Sequence, residues 1–420
     1  MSIPRRITPK ELDLSEFIRP GDWIIPGQAT GEPTTLTEAL FTQRHKFGPS
    51  SVFLGFCPSD TFKPEHADWI AFHSFGPMGH SRNLADAGVL DVHPVHYGLI
   101  ANYIEGGQIP CDVALVLLSP LGPDGQHGFG LINDYIRTAM AKARVVIAEV
   151  NDQVPWVYAE GVPEMNQIDL VVETSRPPTT VPAARSGPVD EAIAGNVARY
   201  IEDGSILQIG MGSVPDAVAR LIRDRRDLGF HSGMASDFLV DLVEAGVITN
   251  ARKNFDQGIS VAATILGHEK LYPFVAKNPA FKLRPSWHTH SGDALRHDRL
   301  VSINSALEID LSGQVGAEET GGKLVSAIGG QPDLVRVGHR SPGGHSIIAL
   351  PSTARKGKVS RIVNRLSGPV TTPRSDVDVV VTEHGSADLR GLSLAEREKA
   401  LIGVADPKYR DVLEAVALSK

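Results

Sequence analysis

Six short apolar runs, alternating with longer helical patterns, set the strongest limit on what this chain can fold into. They are Val113–Leu118, Ala143–Val150, Ile168–Glu173, Ser205–Ile209, Ser346–Leu350 and Val377–Thr382. A strand that is apolar on both faces has no side to turn to water. Such runs therefore belong to sheets covered on both faces by helices, and the crossover through a helix makes those sheets mostly parallel. The class implied is α/β. At 420 residues the chain exceeds what one core usually holds, so two α/β units are expected. The best linker is Ser175–Pro188, which carries four prolines and no periodicity and is followed by a helical pattern from Val189. It sets the domain limits at residues 1–185 and 186–420.

Composition narrows the partners. The net charge is −8 with both signs interspersed, and aromatic residues make up 6% of the chain, so neither a basic stripe nor a base-stacking surface is indicated and nucleic acid is not an expected partner. Cys57 and Cys111 are the two cysteines, each in an apolar setting, which fits reduced core thiols rather than a disulfide framework. The first residues lack an apolar signal region and no run approaches a membrane-spanning length, so the expectation is a cytoplasmic protein without membrane contact.

A weak internal repeat supports two related halves. Pro20–Leu36 and Glu202–Val218 both read as a turn, a strand, a glycine loop and a helix with proline near its start. In the second copy, Gly210 and Gly212 form a strand-to-helix loop of the kind that cradles phosphate, although a lone Gly-x-Gly is too sparse to indicate a dinucleotide. Further glycines, Gly329 and Gly330 before Gln331, could present backbone N–H groups to a phosphate or an oxyanion, the plain alternative being tight turns between strands.

Several longer motifs carry a resemblance. Ser302–Val315, Ile328–Val335, Gly343–Ala354, Ser360–Val363 and Val381–Gly391 resemble, in order, the acetyl-CoA hydrolase/4-hydroxybutyrate CoA-transferase family. Ile109–Val116, Ser119–Gly130, Val150–Pro155 and Ile168–Asp169 extend the likeness through the first half. The resemblance implies two tandem CoA-transferase-type α/β domains with the active site at their interface, and commonly a homodimer or homotetramer. It also implies coenzyme A or an acyl-CoA as substrate, a carboxylate or water as acceptor, and no permanently bound cofactor. In that family a glutamate attacks the thioester and comes to hold CoA as a glutamyl thioester, a task suited to a group that is ionised at neutral pH and can leave again.

Aligned without gaps, Gly229–Asp237 places His231 on the family's histidine, Asp237 on its aspartate and Gly233 on the glutamate. Glycine has no group to acylate, and removal of a covalent nucleophile costs roughly four to six orders of magnitude in rate. Glu318 and Glu319, in the glycine-rich stretch after Gly313, and Asp237 are the carboxylates that could stand in. The resemblance further implies CoA or substrate contacts at Gly210, Gly212, Gly329, Gly330, Gln331, Gly343 and Gly344, with Arg82 as an anion anchor in the first half. His288, His290 and His297 form a histidine-rich segment whose spacing could hold a metal, but surface or ligand-facing histidines fit it better. The reading is an acyl-CoA enzyme that does not use the usual glutamyl-CoA route. Its rivals are hydrolytic C–C cleavage of a cyclic or β-keto acyl-CoA and a CoA-binding pseudoenzyme.

Overall fold

The computed structural model describes residues 4–182, 185–268, 270–290, 294 and 296–417. Residues 1–3 of the N-terminal segment, 183–184 of the proline-rich linker and 291–293 of the histidine-rich segment lie outside the described residues. Contacts divide the chain into two units.

The first unit is built on an eight-stranded sheet, β1 (Arg5–Ile7), β2 (Trp23–Pro26), β3 (Ser50–Leu54), β4 (Ile70–Ser74), β5 (Leu90–Val92), β6 (Val113–Leu118), β7 (Val145–Asn151) and β8 (Leu170–Thr174). The spatial order is β1-β8-β7-β6-β2-β3-β4-β5, every neighbour parallel. Every side chain of β6 is buried, as its unbroken apolar run requires. On one face, residues two apart along each strand (Val52 and Leu54, Val113 and Leu115, Val145 and Ile147, Leu170 and Val172) pack in one core with Leu36, Leu40 and Phe41 of helix α1 (Thr34–Phe47). Burial pushes the Cys111 thiol up to about 12 and that of Cys57 well above its usual range, so neither is a thiolate at neutral pH.

This unit does not end at the linker. It consists of Met1–Val181 together with Ala235–Asp237 and Val261–Thr289, where the sequence offers a single cut at 185. The returning segment is stitched in by backbone bonds: Asn133 N–H donates to Ala263 O (2.9 Å), Ile265 N–H to Leu131 O (2.9 Å), Lys277 N–H to Trp156 O (2.9 Å) and Leu283 N–H to Tyr158 O (2.8 Å).

The second unit begins with helix α2 (Pro188–Val197), where Gly187 N–H donates to Asp190 Oδ2 at 2.8 Å. Its main sheet holds β9 (Ile206–Ile209), β10 (Gly229–Phe230), β11 (Leu300–Asn304), β12 (His345–Ala349), β13 (Val379–Thr382) and β14 (Gly385–Asp388), in the order β10-β9-β11-β12-β13-β14. All neighbours are parallel except β14, which folds back antiparallel on β13. Helix α3 (Ser213–Leu221) follows β9, and α4 (Gln331–Arg340) lies on β11 and β12. All six apolar runs are strands, and the two copies of the internal repeat are β2-loop-α1 and β9-loop-α3. The copies hold equivalent places, because β8-β7-β6-β2-β3 in one sheet matches β13-β12-β11-β9-β10 in the other. Among the described residues no helix is long and apolar enough to cross a membrane.

Helix α4 approaches its sheet unusually closely at Gly338. A Cβ there would lie 2.6 Å from the His345 carbonyl oxygen and 3.0 Å from Ser302 Cβ, both on rigid strands. Gly338→Ala is therefore expected to destabilise the second unit by about 1–3 kcal/mol through overpacking, read as a lower midpoint in urea unfolding.

Candidate functional site

The backbone after β10 is fastened along β9. His231 N–H donates to Leu207 O at 3.0 Å, the Ser232 hydroxyl donates to Ile209 O at 3.0 Å, and Ile209 N–H reaches Ser232 Oγ at 3.4 Å. These bonds carry Gly233 to the carboxyl end of β9, where Gly210 and Gly212 open into α3. Ligands of open α/β sheets bind at that edge of the strands. Gly212 has φ +131°, which a side chain would strain, and the space around Gly210 is open.

Gly233 is not beside a void. An ideal Cβ at position 233 would lie 2.7 Å from Cε1 and 2.8 Å from Nε2 of His290. The same imidazole abuts Gly330, where a Cβ would collide with its Nε2 and Cδ2. His290 is 5% exposed, at the end of the short helix Ser286–His290. One ring thus fills the space over two Cβ-less residues, and any side chain at either would have to displace it. Gly330 immediately precedes α4, and Gly329 before it has φ +59°.

His231 is fully buried, its Nδ1 3.1 Å from His297 Nε2. Two such nitrogens share one proton in a hydrogen bond, so at least one of the rings is neutral there. His297 in turn stacks on Phe255 with ring centroids 4.0 Å apart, and the Arg296 guanidinium lies over the same Phe255 ring.

Other sequence candidates have structural partners. Glu318 is buried and accepts from Thr371 Oγ1 at 2.7 Å, and that hydroxyl oxygen accepts Ala317 N–H at 2.9 Å. The Gln331 amide donates to Ser305 O and accepts from Thr372 Oγ1, so its side chain is engaged in holding the start of α4. Gly343 and Gly344 form the turn into β12, with Gly344 N–H on Ser341 O at 2.8 Å. Since β9, β11 and β12 are parallel, that turn lies at the edge opposite Gly210 and Gly233, and these glycines do not join them. Arg82 is an exposed residue of the first unit, in the helix Ser81–Asp86.

Asp237 belongs to the first unit and has a separate task there. Its Oδ2 accepts from His268 Nδ1 at 2.6 Å and its Oδ1 accepts His268 N–H at 3.0 Å, while His268 Nε2 donates to Val181 O at 2.7 Å. With both ring nitrogens donating, the imidazolium form is favoured. The Asp237 hydrogen bond, helped by the Val181 carbonyl, raises the His268 pKa above its usual 6.5 against the opposing effect of burial.

Sequence spacing marked His290 only as one of a His-x-His pair suited to a metal and did not connect it with Gly233. The one available signal for that connection was indirect: a glycine in place of a large residue implies that another group fills the volume.

The arrangement defines an α/β protein of the CoA-transferase fold, with glycine-rich loops gathered at the carboxyl ends of the second sheet. Comparison with known proteins makes this specific. Residues 5–182 match the acetyl-CoA hydrolase/transferase N-terminal domain and residues 267–417 the C-terminal domain, and the chain belongs to this family of enzymes. It is 38% identical over 401 residues to the 4-hydroxybutyrate coenzyme A transferase of Clostridium kluyveri, covering 93% of this chain and 92% of that one. Among solved structures, RipA from Yersinia pestis superposes with TM-score 0.93 at 34% identity, covering 99% of this chain and 97% of RipA. A 4-hydroxybutyrate CoA-transferase from Porphyromonas gingivalis superposes with TM-score 0.83 at 32% identity, with the same coverage.

A raised histidine pKa in the folded state contributes stability that is complete below the unfolded value near 6.5 and lost as pH rises through the folded value. Thermal unfolding scans from pH 6 to 9 should show the wild type losing more of its midpoint than His268→Asn, whose amide does not titrate. Parallel curves would exclude the imidazolium clamp.

Proposed function

We propose that the protein hydrolyses an acyl-CoA thioester directly, without a glutamyl-CoA stage. Exchange of CoA between two carboxylic acids by the family route requires the enzyme to keep CoA covalently while one acid leaves and the other enters. At the position that the resemblance assigns to the nucleophile, Gly233 offers nothing to hold it. Water is the acceptor that needs no such storage, so the hydrolytic half of the family's chemistry is the half that survives this substitution. The single observation that carries the reading is the occupancy at Gly233: an imidazole is packed where the carboxylate stem would stand.

The relatives' names support acyl-CoA as the substrate class. In this reading the loop of Gly210 and Gly212, at the start of α3, receives a CoA phosphate, using N–H groups and the positive end of the helix. Backbone N–H groups at Gly329 and Gly330 face the developing oxyanion, while the Gln331 side chain serves only to hold them in place. The acyl chain is small or medium, and no carboxylate acceptor is required.

An acyl-CoA panel read with a thiol reagent, followed by the protein's mass with and without borohydride, tests this. The expected result is free thiol and carboxylic acid in equal amounts, no added mass on the protein, and no exchange of CoA onto acetate. A borohydride-trapped glutamyl thioester, or product cleaved at a C–C bond with the thioester intact, would defeat it.

A further inference from the structure

We infer that His290 is the catalytic general base of this hydrolysis, an assignment that rests on the hydrolytic reading above. Three features point to it. The ring edge carrying Nε2 lies against Gly233, at the place from which a reacting side chain would project. Its other neighbour is Gly330, in the loop given to the oxyanion, so one imidazole borders both places that the reaction needs. Two separate positions must lack a Cβ for the ring to sit there, which ties all three residues to one arrangement. Histidine is also the side chain whose ordinary pKa suits it both to take and to return a proton near neutrality.

Three of the candidates offered by the sequence have structural tasks of their own. Asp237 has both oxygens on His268, Glu318 is anchored by Thr371, and His231 meets His297 through Nδ1.

The step balances as follows. A water oxygen bonds to the thioester carbonyl carbon while His290 Nε2 takes one of its protons, and the carbonyl π pair moves onto oxygen. The tetrahedral intermediate collapses, the C–S bond breaks with its electrons on sulfur, and the imidazolium returns its proton to the thiolate. Carboxylic acid and CoA thiol leave, and the imidazole is neutral again.

The test uses the full chain with acetyl-CoA and butyryl-CoA, comparing wild type, His290→Ala, His290→Asn, Gly233→Glu and the double variant Gly233→Glu/His290→Ala. Thiol release, KM and protein mass are the readouts, with thermal unfolding to confirm folding; His290→Asn serves if the alanine variant does not fold. The expected outcome is a kcat lower by about 10²–10⁴-fold in both His290 variants with KM little changed, the range general-base catalysis supplies. Added imidazole should restore part of the rate to His290→Ala, which loss of packing alone would not allow. Gly233→Glu alone should form no CoA adduct because the ring blocks it, whereas the double variant should form one.

Wild-type turnover with undiminished His290 variants would overturn this assignment and leave the hydrolytic reading standing. An adduct on Gly233→Glu as readily as on the double variant would overturn it too, by showing that the imidazole does not hold that space. Absence of thiol release from the wild type would overturn the hydrolytic reading, and the assignment with it.

Discussion

The pairing register of β9 governs the second unit. Ile206 lies opposite Gly229 on one side and Leu300 on the other, and Leu207 opposite Phe230 and Val301. Because all three strands run the same way, this register delivers the glycine loop after β9 and the 231–233 segment after β10 to one edge. A slip of one residue would reverse which side chains enter the core and would carry Gly233 out of line. The bonds from His231 and Ser232 to β9 extend the register past the end of β10, a strand of only two residues.

Much of the fold was legible because burial on both faces leaves a simple mark. The runs around Val113 and Val145 are buried strands with parallel neighbours on both sides, and the run around Val379 is a buried strand with one parallel and one antiparallel neighbour. Strands that were harder to read lack that mark for a physical reason. Ile70–Ser74 mixes buried and exposed positions, and Gly385–Asp388 is the antiparallel edge and needs little apolar character. The duplicated strand-loop-helix pattern reflects a shared strand order, but the two sheets finish differently. The first is closed at the β8 side by a parallel strand from the chain's start, the second by a hairpin return after β13.

The candidate site was legible only in part. Motif order pointed to Gly233 and to the Gly329–Gln331 loop, but spacing carries no information about volume, so the ring that fills the gap was hidden among other histidines. For the same reason glycines of different purpose looked alike. Gly330 admits a side chain from another segment, Gly338 lets a helix approach a sheet, and Gly344 closes a turn at the far edge. Asp237 illustrates the converse, since it follows Gly233 by only four positions in sequence while its hydrogen bonds to His268 and the chain's division assign it to the other unit.

The return of Val261–Thr289 to the first unit bears on how the polypeptide is made. Domains usually fold in turn as they leave the ribosome, the N-terminal one first. Here the backbone groups of Leu131, Asn133, Trp156 and Tyr158, in the connections between the strands and beyond them, pair with residues 263–283, so these loops of the first unit wait with open positions while the early part of the second unit is synthesised. Assembly of the first unit cannot be completed until nearly seventy per cent of the chain has emerged (289 of 420 residues), and a fragment ending at the proline-rich linker would retain those exposed backbone groups. The two units are thus interdependent in the order of their formation, although each is organised around its own sheet.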